Sequence, residues 1–334
     1  MILVRALFKE TIKRSLRFDT YHGPRHHTTY EILQSSRLPR LFHTATSEIY
    51  GNLDHTKSEI RVLKIEPGRW DDDISCKLKV ISLDRLLEPR YDTLSYTWGS
   101  SESTSSIIVN GRTIAVSTNL FTALRALRRT SMTATIWADA LCIDQKNNSE
   151  KSRQVALMGR IYKKGRQTWV SLGCPDERAT GLEDSLDDPG QQHQKMAASM
   201  LTWIATHEYW SRVWIVQEIA LSQKDPICLF GRHQVPLLAL DTVFSDWTDG
   251  GFLSQAWQRA GWSPEIGKGV ARVEEICLLR DEFLSMWTLR LTGSMELLRT
   301  LQFASYRRAS IPHDHIYGLL SLLPANEQQL LEPD

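Results

Sequence analysis

The chain has 334 residues, with 40 Lys+Arg against 39 Asp+Glu and a formal net charge of +1, so it has no overall basic footprint for nucleic acid. It is long enough to bury a sizeable core in one large domain or two smaller ones. Five cysteines with no Cys-x-x-Cys pair argue against a zinc ribbon or a disulfide framework and fit a reducing compartment.

Cys142, Cys174 and Cys228 lie in apolar contexts and read as core thiols. No apolar run approaches the roughly 18 residues that a membrane span needs. Eleven tryptophans point to a well-buried globular protein.

Residues 1–57 stand apart. Met1 to Phe18 is a basic amphipathic segment, followed by His22-Gly23-Pro24-Arg25-His26-His27 and a polar stretch. This reads as a peripheral or partly disordered leader. Its histidines lack partners at metal-ligand spacing, and no metal is assigned to them.

From Glu59 the pattern turns to short β-type runs. Ile60–Ile65 and the alternating Cys76–Ile81, separated by Pro67-Gly68 and Asp71-Asp72-Asp73, predict an antiparallel pair. Tyr91–Gly99 is a β-prone run, and the serines from Ser100 to Ser106 read as a loop. Ile107–Val116 predicts a hairpin with Asn110-Gly111 at its tip. Ser117 or Thr118 then caps a helix to about Arg129.

Thr133–Trp137 reads as a short buried strand. A helix from about Ser149 carries the stripe Val155, Met158, Ile161 and Tyr162, and Gln167–Gly173 is the next strand. Strand, helix, strand with short links implies a parallel pair joined by a right-handed crossover. Cys174 to Gln194 is polar and acidic and reads as a surface loop or insert, with helix resuming from Met196 to Thr206. Pro226–Gly231 is one more strand. Everything after Val235 is helical by pattern, with apolar residues spaced around Leu278, Phe283, Trp287 and Leu291 and again at Leu297, Leu301 and Phe303.

The run Tyr209–Leu221 places one carboxylate, Glu218, in an almost wholly apolar stretch. Read as one helix, it sets Trp210, Trp214 and Glu218 at i, i+4 and i+8 on a shared face, while Arg212 points elsewhere. A buried carboxylate costs several kcal/mol unless it is paired, protonated or turned into a cleft. Glu218 is therefore either the ion-pair partner of a distant Arg or a functional acid, at roughly even odds.

Two further polar clusters follow strand ends: Ser95-Tyr96-Trp98-Gly99, and Asp139 with Asp144-Gln145. The carboxyl edge of an open α/β sheet is where ligands bind. For Asp139 and Asp144 the plain reading is a cap or loop hydrogen bond, and for Tyr96 and Trp98 it is core packing. Ser95 has no Gly-x-Ser-x-Gly elbow, Cys142 has no neighbouring His to activate it, and no Gly-x-Gly-x-x-Gly or Walker loop is present.

Tyr91–Gly99, then Ile136–Gln145, then Arg212–Glu218, in that order, closely resemble the three sequence blocks of the fungal heterokaryon incompatibility (HET) domain. Pro312–Leu320 resembles the segment that often follows, so the resemblance runs from about residue 59 to the end. It implies a cytoplasmic effector of programmed cell death in fungal non-self recognition. HET domains are distantly similar to Toll/interleukin-1 receptor (TIR) domains, which implies an α/β fold: a TIR-like (flavodoxin-like), mostly parallel sheet with added β-hairpin strands and a helical C-terminal portion. The expected domains are 1–57 (leader), 58–236 (HET core) and 237–334 (helical portion).

In TIR enzymes the Glu of the corresponding Trp-x-x-x-Glu helix cleaves NAD, which makes Glu218 the candidate catalyst here. The same resemblance makes Ser95, Tyr96, Trp98, Gly99, Asp139, Asp144, Gln145, Arg212 and Trp214 candidates for binding NAD. NAD is then a substrate rather than a resident cofactor. A homo-oligomeric active form and a separate sensor protein are the implied partners. The alternative is a non-enzymatic signalling module whose polar clusters hold the fold together.

Overall fold

The computed structural model describes residues 49–85, 90–100, 102–175, 189–248, 263–288, 305–323 and 328. The basic segment Met1 to Phe18 lies outside them, and of the expected leader 1–57 only residues 49–57 are described. Among the described residues, nine strands form one mixed sheet: β1 Glu59–Ile65, β2 Ser75–Ser82, β3 Asp92–Tyr96, β4 Thr104–Val109, β5 Arg112–Ser117, β6 Ala134–Trp137, β7 Thr168–Ser171, β8 Ile227–Phe230 and β9 His233–Pro236. Their order across the sheet is β5-β4-β2-β1-β6-β3-β7-β8-β9.

Hydrophobic pattern explains much of this arrangement. β1 pairs antiparallel with β2, Ile60 opposite Ile81 and Ile65 opposite Cys76, as the two alternating runs predict. The β4–β5 hairpin turns at Asn110-Gly111, both in the left-handed region with φ of 51° and 78°, which matches the twist of flanking strands. β4 begins at Thr104, so the serine loop is shorter than expected: Ser105 and Ser106 pair with Val116 and Ala115.

Strands β6, β3, β7 and β8 run parallel. β3 lies between β6 and β7, so the two strands expected to pair directly instead flank it. Counted along the chain, the parallel strands stand in the order second, first, third, fourth, as in doubly wound flavodoxin-like sheets. β3 is buried along its whole length, the signature of a parallel strand covered on both faces.

The helices are α1 Thr118–Leu127, the single turn α2 Asp139–Cys142, α3 Asn148–Lys164, α4 Pro189–Thr206, α5 Ile215–Ala220, α6 Leu237–Thr248, α7 Pro264–Thr288 and the short α8 Asp314–Tyr317. Ser117 caps α1 by accepting from Leu120 N, and Asn147 caps α3 through Glu150 N. α3 and α7 both pack on α5, which closes the six-residue helix into the core.

Four expectations from sequence are corrected. Tyr209–Leu221 is not one helix: Glu208–Ser211 is a 3-10 turn, Arg212 bridges to Arg308, and helix starts only at Ile215. His233–Pro236, unassigned in the sequence reading, completes a second hairpin with β8, and after Val235 the described residues 305–313 are turns and an isolated bridge rather than helix. Leu278 is 68% exposed, and α7 buries Ile276, Cys277, Leu279 and Phe283 instead. Cys174 is exposed, while Cys142 and Cys228 are buried. Leu291, Leu297, Leu301 and Phe303 lie outside the described residues, as does the Trp287 side chain.

One buried ion pair ties the antiparallel half to the parallel half. Arg61 on β1 meets Glu150 on α3 in a two-pronged contact, Nη1 to Oε1 at 2.6 Å and Nη2 to Oε2 at 3.0 Å. Glu150 also accepts from Asp144 N at 2.8 Å, and Arg61 donates to Gly51 O and Cys142 O. Truncating Glu150 leaves a guanidinium buried without its counter-charge, so Glu150→Ala is expected to lower stability by about 3–5 kcal/mol in chemical denaturation.

Candidate functional site

Glu218 lies on α5 and is 3% exposed. Its Oε2 accepts the hydroxyl proton of Ser95, the penultimate residue of β3. The carboxylate thus meets the sheet at the carboxyl end of the first parallel strand, where its neighbours come second and third in the chain. That is the switch point at which open α/β sheets form their crevice.

The interruption of the helix between Ser211 and Ile215 decides what surrounds it. Tyr209 stands nine residues before Glu218 and would fall on the far side of an ideal helix. With the helix interrupted, its hydroxyl lies 2.6 Å from Ser95 Oγ. Arg212 is brought inward for the same reason. Its Nη1 donates to Tyr96 O, and its charge acts on Glu218, Asp139 and Tyr96.

Residues far along the chain hold this extended segment in place. Val213 N donates to Arg308 O at 3.0 Å, and the buried Arg307 donates to Trp210 O at 2.6 Å. Trp210 itself packs in the core with its indole N–H on Ile204 O, so it shares no face with Glu218. Trp214, half-buried, does stand one turn before Glu218, whose N–H donates to the Trp214 carbonyl.

Asp139 follows β6 and starts the single turn α2. Its Oδ2 accepts from the indole of Trp98 at 2.8 Å and its Oδ1 from Ala140 N. Trp98 is 44% exposed and presents the aromatic surface of the site to solvent. Gly99, with φ of 75°, turns the chain behind it, where a Cβ would meet Asn119 Nδ2 at 2.8 Å. The Tyr96 hydroxyl is buried near Asp139 without a well-formed hydrogen bond.

Asp144 and Gln145 serve the loop. Asp144 Oδ1 accepts from Lys146 N at 3.1 Å, and the Gln145 amide donates to Asp139 O at 3.0 Å. The structure therefore gathers Ser95, Tyr96, Trp98, Asp139, Arg212, Trp214 and Glu218 around one sheet edge, and engages Asp144 in its own turn. Sequence reading missed Tyr209 and Tyr162. The Tyr162 hydroxyl donates to Leu94 O at 3.1 Å and lies close to Glu218. The available signal was a phenol within an apolar stripe, which also suits plain packing.

Burial pushes Glu218 up from the ordinary carboxylate range to about 7, against the pull of Arg212 and the hydrogen bond from Ser95. Burial raises Asp139 as well, opposed by Trp98 and Arg212. The same desolvation pushes Cys142 to about 12, so this thiol is no nucleophile near neutrality. Among the described residues, no group of three His, Cys, Asp or Glu side chains is placed to hold a metal ion.

An acid whose pKa is higher folded than unfolded binds more protons in the native state, so its contribution to stability is complete below about 4.5 and lost as pH rises to about 7. Glu218→Gln removes this dependence. The melting temperature of Glu218→Gln relative to the wild type should rise by a few degrees between pH 5 and pH 8. A constant difference across that range would mean that the carboxyl has an ordinary pKa.

Residues 91–218 match the family model described as Heterokaryon incompatibility protein (HET). The chain is also similar to Heterokaryon incompatibility protein 6, OR allele, of Neurospora crassa, at 27% identity over 248 residues, covering 69% of this chain and 33% of that relative. It thus spans about a third of the length of the curated relative it matches. No solved structure matches. The three blocks that build the sheet edge around Glu218 all fall within residues 91–218, the part of the chain that matches the heterokaryon incompatibility (HET) family model.

Proposed function

We propose that the chain acts in fungal heterokaryon incompatibility as a cell death effector, and that it does so by cleaving the nicotinamide–ribose bond of NAD. The observation that carries this reading is the buried carboxylate of Glu218, pushed to about 7 at the carboxyl edge of β3. The match of residues 91–218 to the HET family model and the similarity to Heterokaryon incompatibility protein 6 support the incompatibility role. The order of the parallel strands agrees with the TIR-like arrangement that the HET resemblance implies.

The chemistry asks little of the protein. The C–N bond at ribose C1′ breaks, its electron pair leaves with neutral nicotinamide, and positive charge develops on the ribose. A carboxylate beside that carbon stabilises the charge. Water then attacks C1′ and loses a proton, giving ADP-ribose. A base with a pKa near the working pH suits that last transfer.

Trp98 offers a half-exposed indole for stacking on a ring of the dinucleotide. Arg212 keeps donors beyond the one engaged by Tyr96 O, which suits the phosphates. Assembly into a homo-oligomer would complete the pocket, and a separate sensor protein would trigger it.

One observation favours the second reading, a signalling module without enzymatic activity: the Glu218 carboxylate is nearly enclosed and already bonded to Ser95. The two are separated by nicotinamide release from NAD, measured on concentrated protein. The wild type should release nicotinamide with a rate that rises through about pH 7, and Glu218→Gln should be at least about 100-fold slower. Equal release by both would remove Glu218 from the chemistry. No release by either, with the wild type still toxic in a fungal cell, would favour the signalling module.

A further inference from the structure

Ser95 is 0% exposed and Tyr209 likewise, so neither hydroxyl faces solvent, although Ser95 stands among the expected substrate-binding residues. Their hydrogen bonds are committed to one another and to Glu218. A serine hydroxyl has a single proton. Ser95 donates its proton to Glu218 Oε2, so in the 2.6 Å contact with Tyr209 the phenol must be the donor. The direction of the chain, from Tyr209 to Ser95 to Glu218, is thereby fixed whenever Glu218 is ionised.

When Glu218 is protonated, the same three groups remain bonded with every proton turned the other way. Glu218 then donates to Ser95 and Ser95 to the phenolic oxygen. That state leaves the buried Tyr209 O–H proton without the acceptor it has in the ionised state, where an unmade hydrogen bond costs about 1–3 kcal/mol. The chain of bonds is therefore complete only when Glu218 is ionised.

We propose that Tyr209 and Ser95 form a hydrogen-bond relay that holds the Glu218 carboxylate in place and supports its charged form, Tyr209 acting as a positioning residue without touching substrate. The role proposed for Glu218 in NAD cleavage supplies the relay's purpose, while its existence rests on the contacts alone. Two features favour a dedicated device over ordinary packing. Tyr209 reaches Ser95 only because the chain leaves helical geometry between the 3-10 turn at Glu208–Ser211 and α5. That departure is held by Arg307 and Arg308 from nearly a hundred residues away.

The other groups facing Glu218 are Arg212 from the extended segment, Asp139 from the turn after β6 and Tyr162 from α3. Arg212 favours the charged carboxylate and Asp139 opposes it. Removing the Tyr209 hydroxyl leaves these three in place and takes away only the bond that polarises Ser95 toward Glu218.

The test is a carbon-13 NMR titration of full-length protein labelled at glutamate, with the Glu218 resonance assigned by its loss in Glu218→Gln. In Tyr209→Phe the Glu218 midpoint should rise by about half to one pH unit, the size of a weakened charge-assisted hydrogen bond, and in Ser95→Ala by more. Tyr91→Phe is the control: its hydroxyl donates to Ile161 O at 2.8 Å, elsewhere in the core. A midpoint in Tyr209→Phe equal to that of Tyr91→Phe would overturn the relay. If Tyr209→Phe does not fold, an unshifted midpoint in Ser95→Ala would overturn it equally. The titration needs no turnover, so it stands apart from the nicotinamide assay: a shifted midpoint without NAD cleavage would leave the relay intact and sink only the enzymatic reading.

Discussion

The hydrogen bond from Ser95 to Glu218 joins the first parallel strand to the short helix α5, and the architecture around the site follows from keeping it buried. A carboxylate buried beside Tyr162 and Tyr209 is costly unless its oxygens have partners. β3 supplies the partner because it lies at the centre of the parallel block, covered on both faces. α5 must then end its approach at one point on that strand, which a long helix running on from Tyr209 could not do.

The interruption at Arg212-Val213 is therefore as important as the motif residues. It frees Tyr209 to meet Ser95 and turns Arg212 toward the carboxylates. An extended segment needs backbone partners, and these come from Arg308, with Arg307 bonding the carbonyl of Trp210. The family match ends at residue 218, yet the geometry of its last block depends on residues 307 and 308. The C-terminal portion is thus part of the site's support.

Two carboxyls, Glu218 and Asp139, are both raised by burial and share one arginine. One cation cannot fully compensate two anions in a desolvated site. Their charges are best reconciled when one of them is protonated or when a cationic group enters. The positive nicotinamide ring and the developing charge on its ribose are such groups, in keeping with the proposed substrate. Trp98 marks the exposed side of the same cluster, its indole held on Asp139.

The sequence by itself determined the local elements and pointed to the candidate site. The β-type runs Ile60–Ile65 and Cys76–Ile81, the Asn110-Gly111 turn and the cap expected at Ser117 or Thr118 each depend on near neighbours, and the structure has strands, a turn and a Ser117 cap there. The lone carboxylate at Glu218, conspicuous in an apolar run, was legible for the same reason. Only the tertiary structure decided that Tyr209–Leu221 breaks, that β3 inserts between β6 and β7, that His233–Pro236 is a strand and that Leu278 faces outward. Helical spacing of apolar residues cannot show where a distant chain will take over a backbone hydrogen bond, and here Arg308 does so. The partners of Ser95, Tyr209, Arg212 and Glu218 lie up to 123 residues apart along the chain, so their meeting is a property of the fold and of no local pattern.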